Sequence, residues 1–549
     1  MLYAFLNKGS FQDSVSLMLV SRDLSKGDDV NRVSIMMGTP ANKDVFRETG
    51  MYHELLDEAG PNDICVVIDT NVEDPSICAQ IQARMDEAFK KMASGRKAST
   101  YPVVHSLARA QKVLPDANLA LISVAGMYAG DVAKEALLAN KNVLLFSDNV
   151  SVEKEVELKT LGQSKGLIVM GPDCGTSIIH GAPLAFSNVT KPGLVGIVGA
   201  SGTGIQEIVS QLAHQDIGIT HAIGLGGRDL SEAVGGISAQ MALGMLDKDS
   251  ETKVVVFVSK PPAPSVRAKI STLMRELHKP VVALFLGSVP QKRQEGNVYF
   301  AYTLDEAARL AKDLVAIETL SQGLPAVNDH VLGLYTGGTL ASESAMLLGE
   351  ALALPLDHEH KDGFMLHTDK VQVIDLGDDV YTRGRPHPMI APSVRGERIE
   401  VVPDEVGVLL MDVVLGFGGA LDPAGAVVES LETLKRHRQS PLVVIATVTG
   451  IEGDPQHYDE QVQKLKDAGV ILVPSTRYAV MLAHYLMNKG QEAAGEAPAL
   501  LTQTPAVINI GLRDFANDLQ TNEVKCVHYQ WAPQCGGDER LQKLLALMK

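Results

Sequence analysis

Tryptophan occurs once and aromatic residues make up only 5% of the 549-residue chain, so its cores must be built from aliphatic side chains rather than ring stacks. Cysteine is equally sparse. The five thiols (Cys65, Cys78, Cys174, Cys526 and Cys535) show no CxxC spacing, which excludes a disulfide frame or a cysteine zinc site and predicts reduced thiols. Basic residues number 49 against 66 acidic ones, giving a net charge of −17 with no basic stripe to offset it. Nucleic acid and anionic membranes are thereby excluded as partners, and any anion must be held in a local cationic or amide-lined pocket. No apolar run reaches the roughly 20 residues that span a bilayer, and Met1-Leu2-Tyr3-Ala4-Phe5 soon meets Lys8 and Asp13. The expectation is a soluble, unexported, cytoplasmic protein with no metal site.

What the chain does contain is a steady alternation of short β-rich runs and helical patterns. Asp63 to Ile68, Leu119 to Val124, Val143 to Phe146, Val254 to Val258 and Val281 to Leu286 are apolar runs, each followed by a segment of roughly 3.6-residue apolar period. That is the pattern of parallel sheets wrapped by crossover helices, so the predicted class is multidomain α/β. Breaks at 93–100 (Ala-Ser-Gly-Arg-Lys-Ala-Ser-Thr), at Lys191-Pro192-Gly193 and at Ser321-Gln322-Gly323-Leu324-Pro325 predict four domains: 1–100, 101–190, 191–325 and 326–549. A further soft stretch, 491–499, precedes a last strand at Ala506 to Ile510, assigned to the fourth domain.

Three turns have the composition of anion cradles. Gly171-Pro172-Asp173-Cys174-Gly175 closes one strand, Ser201-Gly202-Thr203-Gly204 follows Leu194 to Val198 and opens an amphipathic helix, and Gly337-Gly338-Thr339 repeats that arrangement after Val331 to Tyr335. Small residues at a helix start let an anion approach free amides at the positive end of the helix dipole. The plain alternative for Ser201 is an ordinary N-cap.

These turns, in this order, resemble the succinyl-CoA synthetase superfamily. Met170-Gly171-Pro172-Asp173-Cys174 resembles the Gly-Pro-Asn-Cys turn of its α-subunit nucleotide-fold domain, and Ser201-Gly202-Thr203 with Gly224-Leu225-Gly226-Gly227 resembles the glycine turns of its ligase domain. Residues from about 330 onward resemble the β-subunit's carboxy-terminal ligase domain. The resemblance implies a Rossmann-like CoA-binding-type domain at 101–190 and two flavodoxin-like ligase-type domains. Over its whole length, including Phe11 to Met18, Met37 to Lys43 and His528 to Trp531, the chain is similar to FdrA-type proteins. That resemblance implies a subunit of an oxamate carbamoyltransferase acting in allantoin and purine breakdown. The reaction converts oxalurate and phosphate to oxamate and carbamoyl phosphate, within an oligomer that needs two other subunits. CoA is the cofactor the superfamily admits, and the alternative activity is an acid–CoA ligase.

One departure from the synthetases is decisive for chemistry. Their phosphorylated histidine stands in a Gly-His-Ala-Gly loop, whereas this chain reads Val289-Pro290-Gln291-Lys292-Arg293-Gln294-Glu295-Gly296-Asn297. The family's orienting glutamate falls at Val258-Ser259-Lys260-Pro261-Pro262. A phosphohistidine relay needs both a nucleophilic imidazole and an orienting acid.

The candidate site residues follow from these turns. Lys260 and Arg228 stand after strand ends, where cations would stabilise charge developing on phosphate and carbonyl oxygens; the equal alternative for Arg228 is a surface pair with Asp229 or Glu232. Gly171, Cys174, Gly175, Ser201, Gly202, Thr203, Gly204, Gly226, Gly227, Gly337, Gly338 and Thr339 are the candidate anion-binding positions, with Cys174 read more readily as a packed small residue than as a nucleophile. Arg383 and Arg385, in Arg383-Gly384-Arg385-Pro386-His387-Pro388, suit a planar carboxylate, against the alternative of a loop compensating nearby aspartates. Asp357-His358-Glu359-His360 lacks a third spaced metal ligand. Ser475-Thr476-Arg477-Tyr478 matches a carbamoyltransferase phosphate loop at only three positions, which chance explains.

Overall fold

The computed structural model describes all residues except 11, 13, 28, 95–100, 357–360, 490–492 and 534–549. The core of the predicted linker, the Asp357 to His360 cluster and Cys535 therefore lie outside the described residues. The chain divides into two compact units: Met1–Ser187 with Leu225–Arg228 and Gln503–Lys549, and Asn188–Gly224 with Asp229–Thr502. No helix among the described residues is long and apolar enough to cross a membrane.

The first unit opens on a three-stranded sheet in which Ile64–Asp69 lies between Leu2–Asn7 and Arg32–Met37. Both pairings are antiparallel, so this run does not belong to a parallel sheet as its composition predicts. Its unbroken apolar character has another cause. Ile64, Val66 and Ile68 face Leu17, Val20, Ile81 and Met85 on one side, while Cys65 and Val67 face Phe46 and Leu56 on the other. A strand covered on both faces loses its polar alternation whichever way its neighbours run.

The unit's second sheet is parallel, in the order Val103–Val104, Cys526–Tyr529, Val507–Ile510, Leu119–Ile122, Asn142–Leu145, Val169–Met170. Val507 pairs with Leu119 and Ile510 with Ile122. The last strands therefore complete the sheet begun near residue 103, a correction to their expected place in the fourth domain. Short apolar strands carry no label for their partner; Ile508, Ile510 and Val527 simply share a core with Ile122, Val143 and Leu145.

The second unit holds two sheets of like topology. The first runs Ile219–Gly224, Pro192–Gly199, Val254–Ser259, Val281–Phe285, Val298–Ala301, all parallel, with Gln294–Glu295 antiparallel at the edge. The second runs Val371–Asp375, His330–Tyr335, Val406–Val414, Val443–Thr449, Ile471–Leu472, also parallel, with Phe364–His367 antiparallel beyond Val371–Asp375. Numbered along the chain, the parallel strands of each follow the order 2-1-3-4-5, that of flavodoxin-like sheets. In such a sheet the connections from strands 1 and 3 leave toward opposite faces and open a crevice at their carboxyl ends.

Candidate functional site

At the first crevice, between Pro192–Gly199 and Val254–Ser259, stand the Ser201 turn and Lys260. The register pairs Gly199 with Val258, and Ala200 N–H donates to Val258 O at 3.0 Å, so Ser201 and Lys260 leave neighbouring strand ends. The helix Gly202–His214 starts there because Ser201 caps it, its hydroxyl accepting from Gly204 N at 3.2 Å. The N-cap reading and the anion reading hold together: capping occupies the Gly204 amide and leaves those of Gly202 and Thr203 without an acceptor among the described residues. Lys260 is exposed, with no ion pair among the described residues, and the fully buried Ser259 hydroxyl beside it has no hydrogen-bond partner. Unbonded amides at a helix start beside an exposed ammonium are the features that anion-binding helix starts share.

The equivalent crevice of the second sheet is built differently. Asp412, inside Val406–Val414, accepts from Thr336 N at 2.8 Å, Thr336 Oγ1 at 3.0 Å and Gly337 N at 2.8 Å. Its carboxylate is fully buried and is paired at 3.2 Å with the buried Arg395, which also donates to the Asp412 carbonyl. Burial lowers the Arg395 pKa, and the Asp412 carboxylate opposes that shift. The Gly337 amide is therefore filled by the protein's own anion, whereas the Gly338 and Thr339 amides, like those of Gly202 and Thr203, have no acceptor among the described residues. Gly338 has a second role: a Cβ there would stand 2.6 Å from Asp375 Oδ2. Asp375 ends its strand, accepts from Gly377 N at 2.8 Å and has its pKa raised by burial. His387 Nε2 lies 2.7 Å from where a Gly377 Cβ would be, while its Nδ1 accepts from Met389 N at 3.2 Å.

Sequence reasoning missed Asp412, Arg395 and Asp375 as a group. The available signal was a lone aspartate within the apolar run Leu409-Leu410-Met411-Asp412-Val413-Val414, since a buried carboxylate requires a partner. Of the two predicted arginines, Arg385 is bound through both terminal nitrogens to Glu397, at 3.1 and 2.5 Å, while Arg383 is exposed without an ion pair among the described residues. Ser475 caps its helix by accepting from Tyr478 N at 3.4 Å, and Arg477 pairs with Asp313 at 2.6 Å, a structural use of that segment.

In the first unit the Gly171 turn and the Gly226 loop serve each other. Gly171 has φ +107° and Gly226 φ +80°, and a Cβ on Gly226 would stand 2.1 Å from Pro172 O. Asp173 N donates to Ser147 O at 3.0 Å and Cys174 N to Leu145 O at 3.2 Å, so these amides are committed. The Cys174 thiol is buried, its pKa raised by that burial, and it contacts Ser177 Oγ at 3.6 Å. Cys174 is thus a packing residue and not an anion ligand. Gly175 and Gly227 flank the same turn, where a Gly227 Cβ would meet Asp173 Oδ2 at 3.4 Å. Arg228 donates from Nε to Glu155 at 3.0 Å and from a terminal nitrogen to Val150 O at 2.7 Å; Glu155 in turn holds the fully buried Lys159 at 2.9 Å. Neither expected partner, Asp229 nor Glu232, is used. Arg228 braces its loop against the helix Val152–Ser164 rather than standing free for chemistry.

Flavodoxin-like sheets with glycine turns at their switch points, in a chain that also holds a Rossmann-like parallel sheet, define a protein of succinyl-CoA-synthetase-like class. Family comparison agrees: residues 334–486 match the CoA-ligase family, 190–287 the CoA binding domain and 1–102 the domain described as AllF, heavy metal-associated. The chain belongs to the FdrA-type family, being 38% identical over 514 residues to YahF of Escherichia coli K12, across 89% of this chain and 99% of that one. The succinate–CoA ligase [ADP-forming] α-subunit of Staphylococcus epidermidis RP62A is 30% identical over 183 residues, 32% of this chain and 59% of that subunit. Among solved structures, the dinucleotide-forming acetyl-coenzyme A synthetase 1 of Ca. Korarchaeum cryptofilum with phosphate and ADP matches 69% of this chain and 84% of that one, with 16% identity and TM-score 0.38. The CoA-binding match covers the stretch expected to be the first ligase-type domain, not 101–190.

The matched heavy metal-associated description raises the question of a metal, and the residues do not fit one. Cys65 and Cys78 pack on opposite faces of the first sheet, against Phe46 and against Ile81. Burial raises both thiol pKa values, that of Cys65 to about 11, the reverse of what a thiolate ligand needs. Among the described residues no three His, Cys, Asp or Glu side chains converge.

Proposed function

We propose that this chain is a subunit of an oxamate carbamoyltransferase complex in allantoin breakdown, converting oxalurate and phosphate to oxamate and carbamoyl phosphate together with two other subunits. The carrying observation is the first switch point. It retains an oxyanion turn with the Gly202 and Thr203 amides open and Lys260 alongside, while the loop after Val281–Phe285 supplies no histidine to be phosphorylated. Phosphate held there is itself the acyl acceptor. Its oxygen attacks the carbamoyl carbon, the bond to the oxamate nitrogen breaks, and that nitrogen leaves as the amide of oxamate with the proton that the hydrogen phosphate gives up. The amides and Lys260 hold the phosphate and offset the charge that builds on the carbamoyl oxygen. FdrA-type membership supports the reading.

The test is carbamoyl phosphate formation from oxalurate and phosphate by the pure chain, and by the chain with the proteins that co-purify with it. Product is expected only in the mixture, with Lys260→Ala raising the KM for phosphate about tenfold. Robust turnover by the pure chain rejects the partner requirement. A second reading, an acid–CoA ligase subunit, is favoured by the CoA-binding and CoA-ligase matches. Formation of ADP from ATP that requires both CoA and a carboxylic acid, with no phosphate-dependent transfer, would replace the first reading by this one.

A further inference from the structure

A cavity of about 910 Å³ opens at the other end of the first switch-point sheet. Among the residues lining it, Lys253 directly precedes Val254–Ser259, Pro280 precedes Val281–Phe285 and Asn297 precedes Val298–Ala301. It therefore borders the amino ends of strands whose carboxyl ends carry the Ser201 turn and Lys260. A six-residue strand separates the two by about 20 Å.

The cavity is lined by four lysines against three carboxylates, Asp247, Asp249 and Glu496, a local basic excess in an acidic chain. Lys248, Lys253, Lys279 and Lys489 all line it, in a protein of net charge −17. Lys279 donates to Leu246 O at 2.6 Å and to Asp249 O, and Lys489 to Ser321 O at 2.6 Å and Leu324 O at 3.0 Å. Carbonyls orient these ammonium groups. Lys248 and Lys253 have no ion pair among the described residues. The cavity's aspartates are engaged elsewhere: Asp247 accepts from the His278 amide and faces its ring, both at 2.9 Å, and Asp249 accepts from the Thr252 amide at 3.0 Å and hydroxyl at 2.6 Å. Glu496 lies exposed at the rim.

His484, on the helix Thr476–Met487, supplies an independent sign of a ligand. It is 6% exposed, lines the cavity, and its ring nitrogens take no hydrogen bond among the described residues. Burial lowers its pKa to about 4, so at neutral pH the ring offers one donor and one acceptor. Its ring nitrogens are not sealed in the interior, so a ligand in the cavity can reach them. Leu314, Tyr299 and Pro280 add apolar wall.

We propose that this cavity is a binding site for a small polyanion, bearing phosphate or carboxylate groups on a body of nucleotide size, separate from the oxyanion turn. The size follows from the volume, which is at the upper end of ligand pockets, near 1,000 Å³, so that inorganic phosphate alone would leave most of it unfilled. The full-length protein is titrated calorimetrically with ADP, pyrophosphate and citrate at millimolar concentrations, low and high salt compared. The expected result is binding of at least one probe that weakens with salt and falls at least tenfold in Lys248→Ala/Lys253→Ala. Both lysines are at least partly exposed, so folding is preserved, and Lys260→Ala leaves the binding unchanged. ADP alone, citrate alone or pyrophosphate alone identifies which anionic group is read. No binding of any probe, binding unaltered in the double variant, or binding lost in Lys260→Ala overturns the proposal. Because the readout is binding and not carbamoyl transfer, its failure is separate from failure of the transferase reading.

Discussion

Replacing Asp412 with alanine tests whether the second switch point carries an anion of its own. The substitution removes the acceptor for Thr336 N, Thr336 Oγ1 and Gly337 N and strands the buried Arg395 guanidinium. Breaking a buried ion pair from one side costs about 3–5 kcal/mol, and each buried donor left unsatisfied roughly 1–3 kcal/mol more, of which water entering the vacated space recovers part. A net loss on the order of 4 kcal/mol is expected. Arg395→Met costs less, because the carboxylate keeps its three other donors. The double variant should be more stable than the sum of the singles implies, by about 1–3 kcal/mol. Hydrogen exchange through a urea series, read on peptides covering 330–339 and 406–414, isolates this sheet from the rest of a multidomain chain. Millimolar formate should restore part of the protection in Asp412→Ala and none in the parent. Single-variant effects that add to within about 0.5 kcal/mol, with no formate rescue, would refute the built-in anion.

Two further outcomes are expected. Asp375 has its pKa raised by burial, so the folded protein binds that proton more tightly; the group favours folding at low pH and opposes it as pH rises through the raised native value. Asp375→Asn should therefore raise the Tm at neutral pH, with the gain vanishing as pH falls below the ordinary carboxylate range; a gain independent of pH would show that titration is not its source. In the first unit, Lys159→Met leaves the buried Glu155 with Arg228 as its remaining cation and the Leu225 carbonyl without its donor, and should cost about 1–3 kcal/mol, loosening the 225–228 loop in limited proteolysis. Unchanged cleavage there would remove the bracing role assigned to this cluster.

Much of the site was legible because its signals are local. Ser201 caps a helix three residues ahead, and an apolar run followed by a small-residue turn announces a strand end wherever it occurs. The same signal misled at Gly171, where the turn's amides are taken by Leu145 and Ser147 on an adjacent segment, and at Arg228, whose partner Glu155 is 73 residues away. Strand direction was illegible at Ile64–Asp69, because burial on both faces produces one composition for parallel and antiparallel pairing.

By itself, then, the sequence determined the α/β class and the capped turn at Ser201, since apolar period and cap chemistry act over a few residues, while the flavodoxin-like sheets were implied by its resemblance to the synthetases. Tertiary structure decided which turn has its leading amide held by a buried carboxylate. The Ser201 and Gly337 turns read alike along the chain, but parallel pairing of Leu334 with Met411 carries Asp412 under Gly337 from 75 residues away, while beside Ser201 the neighbouring strand ends in Ser259 and Lys260. Tertiary structure also sent Val507–Ile510 back to Leu119–Ile122. Sheet register joins segments by hydrogen bonds that are identical from strand to strand, so the partner is chosen by the core the side chains share and not by anything a strand's own residues spell out.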